Sequence, residues 1–236
     1  MFRKKNPVEL LFPRRCPVCD EPVPLKEGLC CKACRTKLQK IRDPYCLRCG
    51  KPLSDAAREY CADCGKTKHL YMCGRSLYEY ESAAPSVYRF KYGGRQEYAA
   101  FFGQEMAAEL GRFIADFSPQ ALIPVPLSRK RLQTRGYNQA ALLAKELGKR
   151  LDIPVWEHAA GRVRNTVPQK ELNAAERQNN LKKAFKIASN DVKLSTIIIV
   201  DDIYTTGSTI DALTEALQSA GAKKVGFVSL STGSGM

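Results

Sequence analysis

No apolar run in this chain approaches the length that spans a bilayer; Ile197, Ile198, Ile199 and Val200 form one of the longest and read as a buried strand. Arg3, Lys4 and Lys5 before Leu10, Leu11 and Phe12 have the order of a secretory leader. Pro13, Arg14 and Arg15 cut that apolar stretch far too short. A cytoplasmic protein with no membrane insertion is expected. Histidine is scarce: only His69 and His158 occur, neither in a recognised catalytic motif, which leaves both as structural or surface side chains. Also missing are the Gly-Lys-Ser/Thr of a nucleotide-triphosphate loop and the G-x-G-x-x-G of a dinucleotide fold. Those absences exclude the commonest nucleotide-binding devices.

Cysteine is abundant instead. Ten cysteines in a reducing compartment suit metal better than disulfides. Eight form C-x-x-C pairs: Cys16/Cys19, Cys31/Cys34, Cys46/Cys49 and Cys61/Cys64. Each member of the first two pairs recurs 30 residues later, and Pro22 is matched by Pro52, so the chain carries an internal duplication. The phase selects Cys31 over its neighbour Cys30 as the ligand. Two four-thiolate zinc sites are expected, paired sequentially within each repeat; cross-bracing of the repeats, or one site without metal, stays open at this point. Scattered structural thiols are the alternative, but four evenly phased pairs argue against them. A 30-residue ribbon buries too little surface to fold alone, so zinc would supply folding energy. Four thiolates leave no open position for water, which makes the metal structural.

The formal net charge of +14 treats every thiol as neutral. Eight thiolates and two zinc ions lower it to about +10. Residues 1–70 hold 16 Lys+Arg against 8 Asp+Glu. Such a balance suits nucleic acid, a nucleotide substrate or acidic cell components, and does not choose among them. Tyr88, Phe90 and Tyr92 stand among Arg89, Lys91 and Arg95, an arrangement fit for stacking on bases and equally fit for the apolar face of a helix.

At 236 residues, with 44% hydrophobic and 26% charged residues, the chain suits one ordinary domain plus a small module. The division expected is 1–70 for a double zinc ribbon and 71–236 for an α/β domain. Past residue 70 the pattern alternates strand and helix: a strand over 77–80, a short helix opened by Pro85, and a longer helix after Gly93-Gly94 with Phe102, Met106, Leu110 and Phe113 on one face. Then come a strand over 121–125, a helix over 136–149, a polar stretch over 160–182, a strand over 196–200, a helix over 208–220 ended by Gly221, and a strand over 225–230. Alternation of this kind predicts a parallel sheet covered on both faces.

The run V-D-D-I-Y-T-T-G-S-T is the most informative segment. A buried strand ending at Val200 delivers Asp201 and Asp202 to the crevice where open α/β sheets bind ligands. Thr205, Thr206, Gly207, Ser208 and Thr209 then turn into a helix, whose free N–H groups and neighbouring hydroxyls can wrap one phosphate. The adjacent carboxylates suit two hydroxyls of a ribose. The bland alternative is an ordinary polar turn capped by Ser208.

These residues resemble the phosphoribosyl-pyrophosphate (PRPP) motif of type I phosphoribosyltransferases. With the cysteine pairs, and with Val125-Pro126-Leu127, Arg135-Gly136-Tyr137-Asn138-Gln139 and the segment holding Asn165, Thr166, Gln169, Leu172, Arg177 and Asn180, the chain resembles the ComF family of competence proteins and its GntX-like relatives. The resemblance implies a type I phosphoribosyltransferase-like α/β core beside the zinc-ribbon module, with Asp201 and Asp202 as the catalytic acids. It implies a pyrophosphate loop at Leu127, Ser128, Arg129 and Lys130, with Arg131 and Arg135 nearby. It further implies Mg²⁺ bound with PRPP, and a lid around 165–178. If the protein is active, pyrophosphate would be displaced from the ribose anomeric carbon, but nothing over 71–119 spells out the acceptor. The family also implies work in natural transformation on incoming single-stranded DNA. Three readings follow: a transferase acting on a nucleobase or related amine, as in salvage metabolism; a nucleic-acid-binding factor whose pocket senses a ligand without turnover; and an interaction protein whose zinc module docks a DNA-uptake helicase or translocation protein.

Overall fold

The computed structural model describes residues 13–24, 27–162, 184–188 and 195–233. The duplication seen in the cysteines is also a duplication of backbone. Cys16 N–H donates to Glu21 O and Cys46 N–H to Lys51 O, both at 2.8 Å. The bridge Arg15–Pro22 recurs as Tyr45–Pro52. Each repeat closes with one helical turn or slightly more, α1 (Lys32–Arg35) in the first and α2 (Ala62–Lys66) in the second.

Strand β1 (Gly74–Glu79) leads directly into helix α3 (Tyr80–Tyr92). Pro85 lies inside that helix, in its second turn, not at its start as the sequence suggested. Helix α4 (Tyr98–Phe117) buries Phe102, Met106 and Leu110 as expected, while Phe113 is only partly covered and Ile114 takes the inner position. After strand β2 (Ala121–Pro124) comes a short helix, α5 (Arg129–Arg135), where a loop was expected; Ser128 caps it by accepting from Arg131 N–H. Helix α6 (Gln139–Leu151) starts later than the expected 136, because Gly136 adopts φ +77° as the cap of α5 and Asn138 caps α6. A small antiparallel pair, β3 (Ala160–Arg162) and β4 (Phe185–Ile187), brackets the region expected to form a lid, and 163–183 fall outside the described residues.

The last three elements are β5 (Thr196–Tyr204), α7 (Ser208–Ser219) and β6 (Lys224–Thr232). The main sheet runs β1-β6-β5-β2 and every pairing is parallel. Strands β5 and β6 are its central pair, and residues 197–200 and 225–232 are buried throughout, as a sheet covered on both faces requires. One face packs on α4 and α6; the other packs on α7.

The ribbons do not hang free. Cys16, Cys34 and Leu38 of the first repeat share a core with Phe90, Tyr98 and Phe102. Asp20 accepts from Arg95 at 2.9 Å and from the Tyr98 hydroxyl. Cys46 and Cys49 of the second repeat share the opposite core with Tyr71, Tyr204 and Phe227. Among the described residues no helix is long and apolar enough to cross a membrane.

Candidate functional site

Strand β5 does not stop at Val200. It runs on to Tyr204, so Asp201 and Asp202 are strand residues at the carboxyl end of a central strand of the sheet. Successive strand side chains point to opposite faces, and the two carboxylates accordingly meet different partners. Asp202 Oδ1 receives the Nζ of Lys91, from the last turn of α3, at 2.9 Å, with both side chains largely buried. Asp201 accepts the backbone N–H of Asp202 at 2.8 Å. Burial, and then the negative charge of Asp202, push the Asp201 carboxyl up to about 8; the Asp202 N–H and the cations of Lys91 and Arg162 oppose this without overcoming it. Arg162, at the end of β3, is itself held below its ordinary value by burial and by Arg131.

The loop after β5 turns on Gly207, whose φ of +82° lies in the left-handed region that favours glycine. Gly207, not Ser208, is the N-cap of α7, and no side chain caps that helix among the described residues. Its first-turn amides are thus available to an anion, with the positive end of the helix dipole behind them. Thr206 and Ser208 bond each other at 3.2 Å on the outer side of the loop.

A cleft of about 250 Å³ joins these parts. Asp201, Asp202, Thr205 and Thr209 line it together with Leu127, Asn138 and the cations Lys91, Arg131, Arg135 and Arg162. Arg135 is steadied by the Tyr92 hydroxyl at 3.0 Å and by Gln139 Oε1 at 3.0 Å. Of the residues expected from sequence, Leu127, Arg131, Arg135, Asp201, Asp202, Thr205 and Thr209 come together in this cleft. Ser128 is occupied in capping α5, and Arg129 and Lys130 point to solvent in its first turn. Thr206, Gly207 and Ser208 belong to the loop without lining the cleft.

The eight predicted metal ligands form two clusters, Cys16/Cys19/Cys31/Cys34 and Cys46/Cys49/Cys61/Cys64, each with its sulfurs within 4.8 Å of one another. Sequential pairing within each repeat is therefore what the fold builds. A tetrahedron with Zn–S bonds of about 2.3 Å has edges near 3.8 Å. The sulfur separations Cys19–Cys31 at 3.8 Å, Cys16–Cys31 at 3.5 Å and Cys49–Cys61 at 3.6 Å match that spacing. Each cluster holds one thiol low and others high: the hydrogen bond with Cys34 and burial push Cys31 up to about 12, burial pushes Cys64 up to about 12, and Cys34 and Cys49 are also raised. Burial works against ionising Cys16, yet the backbone N–H groups of Cys19, Cys31 and Val18 hold its thiol down to about 6. A hydrogen bond from Cys49, joined by backbone N–H groups, holds Cys46 down to about 4 despite burial. Cys30 lies only 3.6 Å from Cys16, but burial pushes its thiol strongly up, so it packs as a neutral side chain.

Two family models cover complementary parts of the chain: a double zinc ribbon domain over residues 8–65 and a phosphoribosyl transferase domain over residues 132–234. Competence protein ComFC of Bacillus subtilis is 32% identical over 197 residues, which is 81% of this chain and 78% of that protein. The chain belongs to the ComF family. Competence protein F of Haemophilus influenzae is 41% identical over 109 residues, covering 45% of this chain and 48% of its own length. The DNA utilization protein YhgH of Escherichia coli K12 is 32% identical over 145 residues, covering 60% and 63%. The ComF chain thus spans about half to two thirds of these last two relatives. A hypoxanthine phosphoribosyltransferase from Staphylococcus aureus superposes over 57% of the ComF chain and 62% of its own, with a TM-score of 0.34 and 18% identity, a partial likeness only.

The aromatic–basic stretch of this ComF chain divides in a way the sequence left open. Phe90 is fully buried, whereas Tyr88 and Tyr92 are exposed, 65% and 56%, and lie 5.1 Å apart on α3. Arg95 is engaged with Asp20, and Lys91 with Asp202, so neither is a spare surface cation. Lys91 and Arg162 are cleft residues that sequence reasoning missed. Only the fold carries Lys91 to the acidic pair, and no local pattern marks it.

Proposed function

We propose that the cleft binds PRPP with Mg²⁺, and that the protein works in the cytoplasm on phosphoribosyl chemistry connected with incoming DNA. The observation that carries this reading is the pairing of two adjacent carboxylates with an uncapped helix N-terminus in a cleft also lined by Lys91, Arg131, Arg135 and Arg162. The amides after Gly207, with the hydroxyls of Thr205 and Thr209, take the 5′-phosphate. Asp201 and Asp202 accept from the ribose hydroxyls; Asp202 exchanges its Lys91 partner for the sugar, and Asp201 sheds its proton to do so. Arg131, Arg135 and Arg162 face the pyrophosphate, with Mg²⁺ neutralising what the guanidinium groups leave. In the transfer reaction the bond from the anomeric carbon to pyrophosphate breaks, its electron pair leaving with the pyrophosphate. An acceptor nitrogen supplies the new bond, and the transition state has oxocarbenium character.

Calorimetry with PRPP and Mg²⁺ tests the binding. Wild type should bind, and Asp201→Asn combined with Asp202→Asn should bind much more weakly while remaining folded. Equal affinity in the two proteins would sink the assignment. Release of pyrophosphate with nucleobase or amine acceptors separates turnover from ligand sensing.

A second observation favours contact with single-stranded DNA. A larger cleft, about 570 Å³, lies between the first ribbon and the helices α4 and α6. Arg14, Arg15, Arg35, Lys149 and Arg150 line it with Glu97 and Glu146, and Arg150 pairs with Glu146 at 3.1 Å. A space of this size suits one or two nucleotides of a single strand, and cations lining it would track the phosphates. Anisotropy titrations at two salt concentrations should show affinity falling steeply with salt. Arg35→Glu with Lys149→Glu should weaken binding and flatten the salt dependence, leaving PRPP binding unchanged. If wild type binds no strand at low salt, docking of a helicase or translocation partner through the zinc module becomes the better account.

A further inference from the structure

The second ribbon and the loop that turns on Gly207 share a wall of side chains for which the site described above has no role. His69, just beyond the last ligand of that ribbon, has a side chain only 1% exposed. Its Nδ1 donates to Asp211 Oδ2 at 2.8 Å, and Leu70 N–H donates to Oδ1 of the same carboxylate at 2.8 Å. Asp211 lies in the first turn of α7, where it would otherwise compete with an anion for the helix terminus. Two donors from the segment leaving the zinc ribbon hold both its oxygens. The His69 ring also packs beneath the loop itself: a Cβ on Gly207 would come within 2.9 Å of His69 Cε1 and 2.8 Å of the Tyr204 hydroxyl.

The contact continues back to the metal site. His69 stacks on Tyr71 with ring centroids 4.8 Å apart, and the Tyr71 and Tyr204 hydroxyls bond at 2.6 Å. Lys51, which is buried, faces the Tyr204 ring at 5.8 Å and pairs with Asp63 at 2.7 Å, between the ligands Cys61 and Cys64. The Nε2 of His69 is buried with no partner among the described residues.

We infer that His69 is a positioning residue for the anion-binding loop, and that through it the second zinc site is energetically coupled to the ligand the loop holds. This rests on the reading of the loop as the 5′-phosphate site of PRPP. The coupling is reciprocal: zinc in the second ribbon favours the loop geometry that binds phosphate, and bound phosphate retains that zinc. The first ribbon docks instead on α3 and α4, through Arg89, Arg95 and Tyr98.

The experiment uses the full-length zinc protein as wild type, His69→Leu and His69→Asn. Leucine keeps the bulk and removes the donor; asparagine places an amide nitrogen where Nδ1 stood. PRPP affinity with Mg²⁺ is measured by calorimetry, and zinc release to a chromophoric chelator is followed with and without saturating PRPP and Mg²⁺. In wild type PRPP should slow one of the two release phases, by about five- to tenfold, and leave the other unchanged. His69→Leu should lose about tenfold in affinity together with that protection, and His69→Asn should recover most of both. Wild-type affinity and protection in His69→Leu, or no protection in wild type, would overturn the inference while leaving PRPP binding intact. If His69→Leu folds poorly, His69→Asn decides alone: a loss of affinity and protection in that variant overturns the inference. Failure of wild type to bind PRPP removes the loop assignment and the inference together, and is seen before any substitution is made.

Discussion

Replacing Asp201 with Asn should change how stability depends on pH, with no ligand present. The carboxyl is raised from 3.8 to about 8, first by burial and then by Asp202. A raised carboxyl keeps its proton in the folded state after the unfolded chain has released it. The folded state then binds more protons than the unfolded one, and stability falls as pH rises between about 4 and 8. Above about 8 the effect is complete. A tenfold difference in proton affinity between the two states corresponds to about 1.4 kcal/mol. Between pH 6 and 8.5 the extra proton of the folded state is therefore worth about 2–3 kcal/mol, and solvent relaxation at the open end of the strand reduces this toward about 1 kcal/mol. Asparagine occupies the same volume, accepts the Asp202 N–H through its oxygen and does not titrate. Urea unfolding of both proteins at pH 6 and pH 8.5 isolates the effect, because every other titrating group, zinc thiolates included, is common to the two. The wild type should lose about 1–3 kcal/mol more than the variant over that interval. Parallel loss in the two proteins would refute the claim that Asp201 is held protonated.

Elemental analysis should find two zinc ions per chain; Cys31→Ala should reduce that to one, whereas Cys30→Ala should keep both and lower stability by about 1 kcal/mol through lost packing. One zinc in the wild type would contradict the two-site geometry. Gly207→Ala should cost about 1–3 kcal/mol in thermal or urea unfolding, because the new Cβ meets Tyr204 and His69 in a left-handed backbone conformation. Unchanged stability would mean that the loop relaxes freely. Lys91→Met should destabilise by about 1–3 kcal/mol by leaving Asp202 without its partner, and Asp202→Asn in the same chain should restore most of the loss; additive losses would show that the pair is not coupled.

What the sequence made legible were features whose chemistry is local. The cysteine phase picked out all eight cysteines that cluster and set Cys30 aside, because a metal knuckle is defined by spacing along the chain. The acidic pair and the glycine turn were visible for the same reason, as were the alternating strands and helices. Contacts closed by topology left no such mark. His69 and Asp211 are 142 residues apart, and Tyr71 and Tyr204 are 133 apart. Lys91 looked like one more cation in an aromatic–basic stretch until a parallel sheet and its crossovers brought it to Asp202. Phe90 and Tyr92 were indistinguishable by type, and only the rotation of α3 buries the first and exposes the second. Helix α5 escaped notice because its residues, from Arg129 to Arg135, bury none of their number and so carry no apolar period.

The two zinc repeats have grown unlike one another at one matching place. Asp20 in the first and Gly50 in the second occupy the same step of the knuckle, and both take a positive φ, 64° and 73°. In the first copy the side chain reaches outward and fastens onto Arg95 and Tyr98. In the second a side chain would strike the Arg75 Cα and the Gly74 carbonyl, each 2.8 Å from where a Cβ would stand. An ancestral tandem copy has thus been tailored to two different neighbours, a helix pair in one case and the edge of a sheet in the other. Exchanging the copies would keep every sulfur in place and still deprive one of its anchor and collide the other with a strand. The modules are interchangeable as metal binders and not as building parts.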